Sequence, residues 1–172
     1  RSSDLNPYFL SFDVQPYYNR SQSDSLSQSI FNDRGVLASV NLFQGSHFPT
    51  SFSFSKEYNN TGEFGLPGEV GLTTKGSSQT FGLTWAENLP NLPSLQLSYA
   101  RTSTATTVLG DSDESHSKWN SLNLYSMYEA AGFQLTGLFN HQTTDMSFPV
   151  FLGSSTENNG SSNSYAFTAT HK

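Results

Sequence analysis

Histidine, cysteine and serine are the side chains that most often carry out nucleophilic or metal-dependent chemistry. The four histidines, His47, His116, His141 and His171, lie far apart in the sequence, and no two have the spacing of a metal-binding motif such as HExxH. No GxSxG nucleophile elbow is present, and the absence of cysteine excludes thiol nucleophiles, Cys-ligated zinc and disulfides. We therefore expect no enzymatic activity, no catalytic residue, no cofactor and no metal site.

Carboxylates offer a second kind of site, for a hard cation. The stretch GDSDESH contains Asp111, Asp113 and Glu114, whose oxygens suit calcium, but it lacks the ligand spacing and the glycine of a calcium-binding loop. A solvated acidic loop is the preferred interpretation. Further acidic residues fall in other polar segments: Asp24, Asp33, Glu63, Glu69, Asp145 and Glu157. They predict an acidic rim that favours cations at the mouth of a channel, or a charged surface that keeps loops soluble.

The composition is that of a folded chain rich in aromatic residues. Its 172 residues are enough for one domain, and 14 Phe, 8 Tyr and 2 Trp distinguish it from a disordered segment. The net charge is −6 and the eight basic residues are scattered along the sequence, which argues against a nucleic-acid partner. No run approaches the ~18 apolar residues of a transmembrane helix.

Eight segments alternate between apolar and polar residues with a period of two, and none shows the period of an amphipathic helix. The stretch WAENLPNLPSLQLSYART is typical. Two Leu-Pro pairs form a short turn, and Leu95, Leu97 and Tyr99 then alternate with polar residues. The pattern predicts an all-β fold of about eight antiparallel strands.

The lengths of the connections predict how these strands are joined. Short turns are expected near 44–50, 87–94 and 129–132, and long loops near 20–33, 60–78, 104–117 and 143–163. Regular alternation of short and long connections is typical of an up-and-down meander, here a single domain over residues 1–172. The last loop contains the apolar stretch MSFPVFLGSS, which is expected to pack over a barrel rim or to form a constriction.

With these features, the chain resembles a bacterial outer-membrane β-barrel of the porin-like kind from Asn6 to Lys172. The resemblance implies a location in the outer membrane of the cell envelope and a passive channel or structural role. Outer-membrane lipid and small polar solutes are the implied partners. The chain ends in YAFTATHK without a terminal aromatic residue, so part of a larger barrel is expected. A complete eight-strand barrel with a filled interior is the other possibility.

The resemblance also implies a role for each face of the strands. The residues expected to face lipid are Leu10, Phe12, Val14, Val36, Val40, Phe52, Phe54, Phe81, Leu83, Trp85, Leu95, Leu97, Tyr99, Leu122, Leu124, Phe133 and Leu135. Those expected to face the lumen are Ser53, Thr84, Gln96, Ser98, Asn123, Gln134 and Thr136. The alternative is a secreted, soluble all-β binding or adhesin-like protein, a sandwich or a stack of hairpins, in which the apolar faces form a core.

Overall fold

A computed structural model describes residues 9–24, 28–64, 72–108, 114–150 and 154–171 of the protein. Eight antiparallel strands form one sheet, in which every strand pairs with its neighbours in chain order. The strands are β1 (Leu10–Asp24), β2 (Gln28–Leu42), β3 (Thr50–Phe64), β4 (Leu72–Glu87), β5 (Ser94–Val108), β6 (Glu114–Ala130), β7 (Phe133–Val150) and β8 (Ser154–His171). The predicted all-β, up-and-down meander is therefore confirmed.

Three connections lie at one end of the sheet, which we call the turn end, and span residues 43–49, 88–93 and 131–132. The shortest has positive φ at both Ala131 (52°) and Gly132 (81°), as a two-residue hairpin loop requires to match the twist of its strands. His47 joins the other two, because its Nδ1 lies 2.6 Å from the carbonyl oxygen of Asn88. The Asn88 backbone amide also donates to the His47 carbonyl oxygen over 2.9 Å, so the turn end is held by local backbone geometry and by contacts between turns.

At the opposite end, which we call the loop end, the strands extend much further than the sequence pattern indicates. Only residues 25–27, 65–71, 109–113 and 151–153 lie between strands there, where loops near 20–33, 60–78, 104–117 and 143–163 were expected. Met146 to Val150, part of the stretch expected to cover a rim, pairs with β8. Polar segments enter the ladder because pairing satisfies backbone groups whatever the side chains are.

The register separates the side chains into two faces that differ sharply in chemistry. One set of successive partners, the apolar row, consists of Leu10, Leu42, Thr50, Trp85, Leu97, Leu124, Phe139 and Tyr165. The neighbouring set, the polar row, consists of Ser11, Asn41, Ser51, Thr84, Ser98, Asn123, Asn140 and Ser164. Adjacent residues point to opposite sides of a sheet, so these rows define an apolar face and a polar face.

The described strands form an open sheet without a second layer. Strand contacts occur only between neighbours in the meander, so β1 and β8 are separate edges. No hydrophobic residue in the described ranges is buried, and every residue of β8 is exposed. The closed eight-strand barrel, one of the two expected architectures, is not what the structure shows; the open sheet is compatible with the other, part of a larger barrel.

Candidate functional site

The polar face carries a network of hydroxyl and amide groups along the polar row. In β1 to β3, Asn41 donates from Nδ2 to Ser11 Oγ over 3.3 Å and accepts a 2.8 Å hydrogen bond from Ser51 Oγ. Gln44, in the first turn, donates to the same Ser51 oxygen over 3.3 Å. These short side chains are half-buried and connect three strands across the face.

A second network on this face spans β5 to β7. Asn123 donates from Nδ2 to Ser98 Oγ over 3.3 Å and to Ser121 Oγ over 3.1 Å, and it accepts a hydrogen bond from Asn140. Between the two networks lies an open cavity of about 540 Å³, lined by residues that include Thr84 and Gln96. The polar face therefore presents small, hydrogen-bonding side chains around a water-accessible space.

Glycine makes close packing possible on the polar face toward the loop end. A Cβ atom on Gly35 would lie 2.5 Å from the carbonyl oxygen of Lys56 and 2.7 Å from the Tyr17 hydroxyl oxygen. The ring of Tyr17 therefore covers Gly35, the arrangement by which an aromatic residue compensates for a glycine in a strand. Closer to the turn end, a Cβ on Gly82 would similarly clash with Ser53 Oγ.

Charge is distributed very unequally between the two faces. Carboxylate residues at register positions on the polar face include Asp13, Asp33, Glu57 and Glu129. No Lys or Arg in the described strands occupies that face. Asp33 and Glu57 lie on neighbouring strands near their middles, because Glu57 pairs with Gly35, two residues from Asp33.

The basic residues lie instead on the apolar face, where each of β1 to β6 contributes one. They are Arg20, Arg34, Lys56, Lys75, Arg101 and Lys118. Lys56 and Arg101 lie near the middle of their strands, whereas Lys75 and Lys118 lie close to the loop end. Basic residues that are scattered along the sequence are thus aligned on one face. The sequence contains a signal for this, because basic residues lie an even number of positions from apolar residues of the same strand, such as Val36, Phe54 and Tyr99.

The residues singled out from the sequence divide cleanly between the faces. All seventeen residues expected to face lipid occupy the apolar face, and all seven expected to face a lumen occupy the polar face. The division has exceptions, namely the exposed apolar residues on the polar face: Phe31, Leu37, Trp119, Leu138, Phe148 and Val150. What each face contacts is taken up under Proposed function.

The histidines are far apart and each has its own local partner. His141 Nδ1 lies 2.6 Å from Asn163 Oδ1, His116 lies 3.5 Å from Glu114, and the His171 ring packs edge-on against Phe133. Within the described ranges, no three His, Asp or Glu side chains come together as a metal site.

The expected acidic rim takes a different form in the structure. Asp33, Asp145 and Glu157 lie within strands, and Asp24, Glu63 and Glu114 are at strand ends. Glu69, Asp111 and Asp113 are outside the described residues. Carboxylates near the loop end are therefore largely part of the sheet, and their positions depend on strand register.

Comparison with known proteins identifies the fold. No protein-family model matches this chain, and neither does any curated protein. Among solved structures, the chain is similar to the alcaligin outer membrane receptor FauA from Bordetella pertussis, with a TM-score of 0.64 at 14% sequence identity. The match covers 98% of this chain and 30% of that chain, so the chain spans less than a third of the structure it resembles. The strands therefore have the fold of a contiguous part of an outer-membrane receptor. No helix in the described part of the protein is long and apolar enough to cross a membrane.

Proposed function

We propose that the protein is an outer-membrane β-barrel protein, of which these eight strands form a contiguous part of the wall. One observation carries the proposal: a single sheet exposes a continuous apolar face and has no second layer to cover it. Exposed apolar surface on this scale requires an apolar partner, and lipid is the partner that a one-layer sheet meets in a membrane barrel. A soluble sandwich would require a second packed sheet.

Strand length supports the same proposal. A membrane-spanning strand needs roughly 9–11 tilted residues, and each strand here has 15 to 18. The strands are therefore long enough to continue past the hydrocarbon at the loop end. In the proposed barrel the apolar row contacts lipid, and the basic residues closest to the loop end, Lys75 and Lys118, lie toward the headgroups.

The polar face then lines a wet lumen through which small polar solutes pass without a catalytic step. Serine, threonine and asparagine of the polar row replace part of the hydration of a solute by hydrogen bonding. The carboxylates of Asp13, Asp33 and Glu57, with no basic residue on the same face, favour cations over anions. A receptor barrel that binds a small ligand is a second candidate, favoured by the similarity to FauA.

Heat-modifiability tests the proposal. The native full-length protein from the membrane fraction is run on SDS gels with and without boiling, and a folded form that shifts on boiling is expected. Conductance in a planar bilayer then separates the candidates, because a passive channel conducts without ligand and a closed receptor barrel does not. Recovery in the secreted or soluble fraction without a shift would favour the soluble all-β binding protein instead.

A further inference from the structure

The distribution of Lys and Arg over the strands is highly ordered. Each of β1 to β6 has one such residue, and in every case it lies on the apolar face, at positions from the middle of the strand to the loop end. Since side chains alternate between faces, six independent positions would all fall on the apolar face in about one case in 64. A general need for solubility does not explain this arrangement, because the polar face has carboxylates and no basic residue.

Three of these residues directly follow apolar positions of their own strands: Lys56 is the next residue on this face after Phe54, Arg101 follows Tyr99, and Arg34 follows Val36. A step of two residues along a strand is about 6.6 Å. Lys56, Arg34 and Lys75 lie in the three successive register rows that follow the row of Phe54 and Phe81 toward the loop end. The three cationic groups therefore border the apolar residues on the side of the loop end.

Arg34, Lys56 and Lys75 form the most concentrated part of this surface. The Arg34 guanidinium carbon lies 5.7 Å from the centre of the Tyr58 ring, and Lys56 Nζ lies 5.1 Å from the same centre. An open groove of about 390 Å³ beside them is lined by Arg34, Lys75 and Tyr58, and also by the amides of Asn32 and Asn60. Two cations held against one ring repel each other, and an anion between them offsets that repulsion.

Nothing in the described part of this groove neutralises the charge. None of its lining residues is acidic, and no Lys or Arg forms an ion pair within the described ranges. The surface therefore has fixed positive charge, amide and hydroxyl donors, and an open side toward the surroundings.

We propose that Arg34, Lys56 and Lys75 form a binding site for the phosphate groups of anionic lipids, at the headgroup level of the leaflet that surrounds the loop end. This inference rests on the proposed membrane barrel and adds a specific lipid class to its contacts. Charge complementarity identifies the occupant: guanidinium and ammonium groups bind phosphate, and the adjoining apolar face accommodates the acyl chains.

Lys118 provides a matched control on the same face. Its cross-strand partner is Asp145, and both residues line an open groove together with Glu157. These carboxylates offset its charge, so Lys118 attracts lipid phosphate much less than the cluster around Tyr58 does. Removal of one basic residue outside the site can thus be compared with removal of those within it.

The test uses full-length protein reconstituted into phosphatidylcholine vesicles, with spin-labelled phosphatidylglycerol and spin-labelled phosphatidylcholine as probes. The wild-type protein is expected to bind the anionic probe more tightly than the neutral one. In R34Q/K56Q/K75Q this preference falls by about fivefold or more, because each basic residue near a surface adds attraction. The charge-conserving variant R34K/K56R/K75R and the control K118Q keep most of the preference.

Several outcomes overturn the site. A lipid-phosphate site would be contradicted if R34Q/K56Q/K75Q kept the preference for the anionic probe, or if K118Q lost it to the same extent. It would also be contradicted if inorganic phosphate, at the same concentration as the anionic lipid, abolished the preference. Heat-modifiability of each variant verifies that it is folded, and the charge-conserving variant separates loss of charge from loss of structure. Failure of the wild-type protein to insert into neutral vesicles would overturn the proposed barrel, whereas insertion without lipid preference would overturn only this inference.

Discussion

The apolar row and the polar row lie one residue apart in every strand and differ in almost every property. The apolar row is aliphatic or aromatic except for Thr50, and the polar row has only serine, threonine and asparagine. In the described strands, all Lys and Arg residues occupy the face of the apolar row, whereas the charged residues on the face of the polar row are carboxylates. The two faces of this single-layer sheet therefore suit two different surroundings. A sheet that covers a soluble core also has two different faces, but its apolar face is buried, whereas the apolar face here is exposed.

The largest effect is expected from placing a charge on the apolar row. Leu97→Arg introduces an arginine into lipid, which costs about 2–4 kcal/mol near the middle of the bilayer and should prevent assembly of an SDS-resistant form. The matched change Gln96→Arg places the same side chain on the polar face, beside the cavity lined by Gln96 and Thr84. It should leave the boiling-dependent gel shift intact. Equal tolerance of the two changes would contradict the assignment of the apolar face to lipid and of the polar face to the lumen.

A smaller effect is expected from filling the crowded region of the polar face. Gly35→Ala places a methyl group against a backbone oxygen and the Tyr17 ring, and it should destabilise the protein by about 1–3 kcal/mol. Gly137→Ala, on the apolar face, is the control, because nothing lies within 4 Å of a Cβ there. The midpoint temperature of the gel shift measures both. A loss in Gly137→Ala as large as that in Gly35→Ala would contradict the packing difference.

The smallest effect concerns ion selectivity. Asp33→Asn combined with Glu57→Gln removes two carboxylates from the polar face. The double change should lower the cation-to-anion permeability ratio about two- to fivefold, because the interaction of an ion with a unit charge at short range in water contributes up to about 1 kcal/mol. Glu87→Gln removes a carboxylate from the apolar face at the turn end and should leave the ratio unchanged. Reversal potentials in a salt gradient measure the ratio. A change of the same size in Glu87→Gln would show that the polar face does not line the conducting path.

The sequence predicts the strands and their faces well because alternation is a local signal. In β5, Leu95, Leu97 and Tyr99 are two residues apart, and any strand in this region must place them on one face. The turns are also local, since proline pairs or a glycine mark their positions. Hence the order of the strands follows from pattern and spacing alone.

The strand ends at the loop end could not be predicted in this way. The first eleven residues of β8, SSTENNGSSNS, contain no apolar residue, yet they pair with β7. Their pairing depends on the backbone of a neighbouring strand, and no pattern within the segment reveals it. The same cause explains why Asp33 and Asp145 were assigned to loops. Whether β1 meets β8 also depends on long-range geometry, so alternation does not distinguish a closed barrel from an open sheet.

The central claim is that the apolar row contacts lipid and the polar row contacts water, and the absence of cysteine allows a direct test. Leu97→Cys and Ser98→Cys are each labelled with a fluorescent bimane in the native protein and reconstituted into vesicles. The account predicts that brominated lipid quenches the label at position 97 more strongly, and aqueous iodide the label at position 98. Equal quenching at both positions by both agents would contradict it.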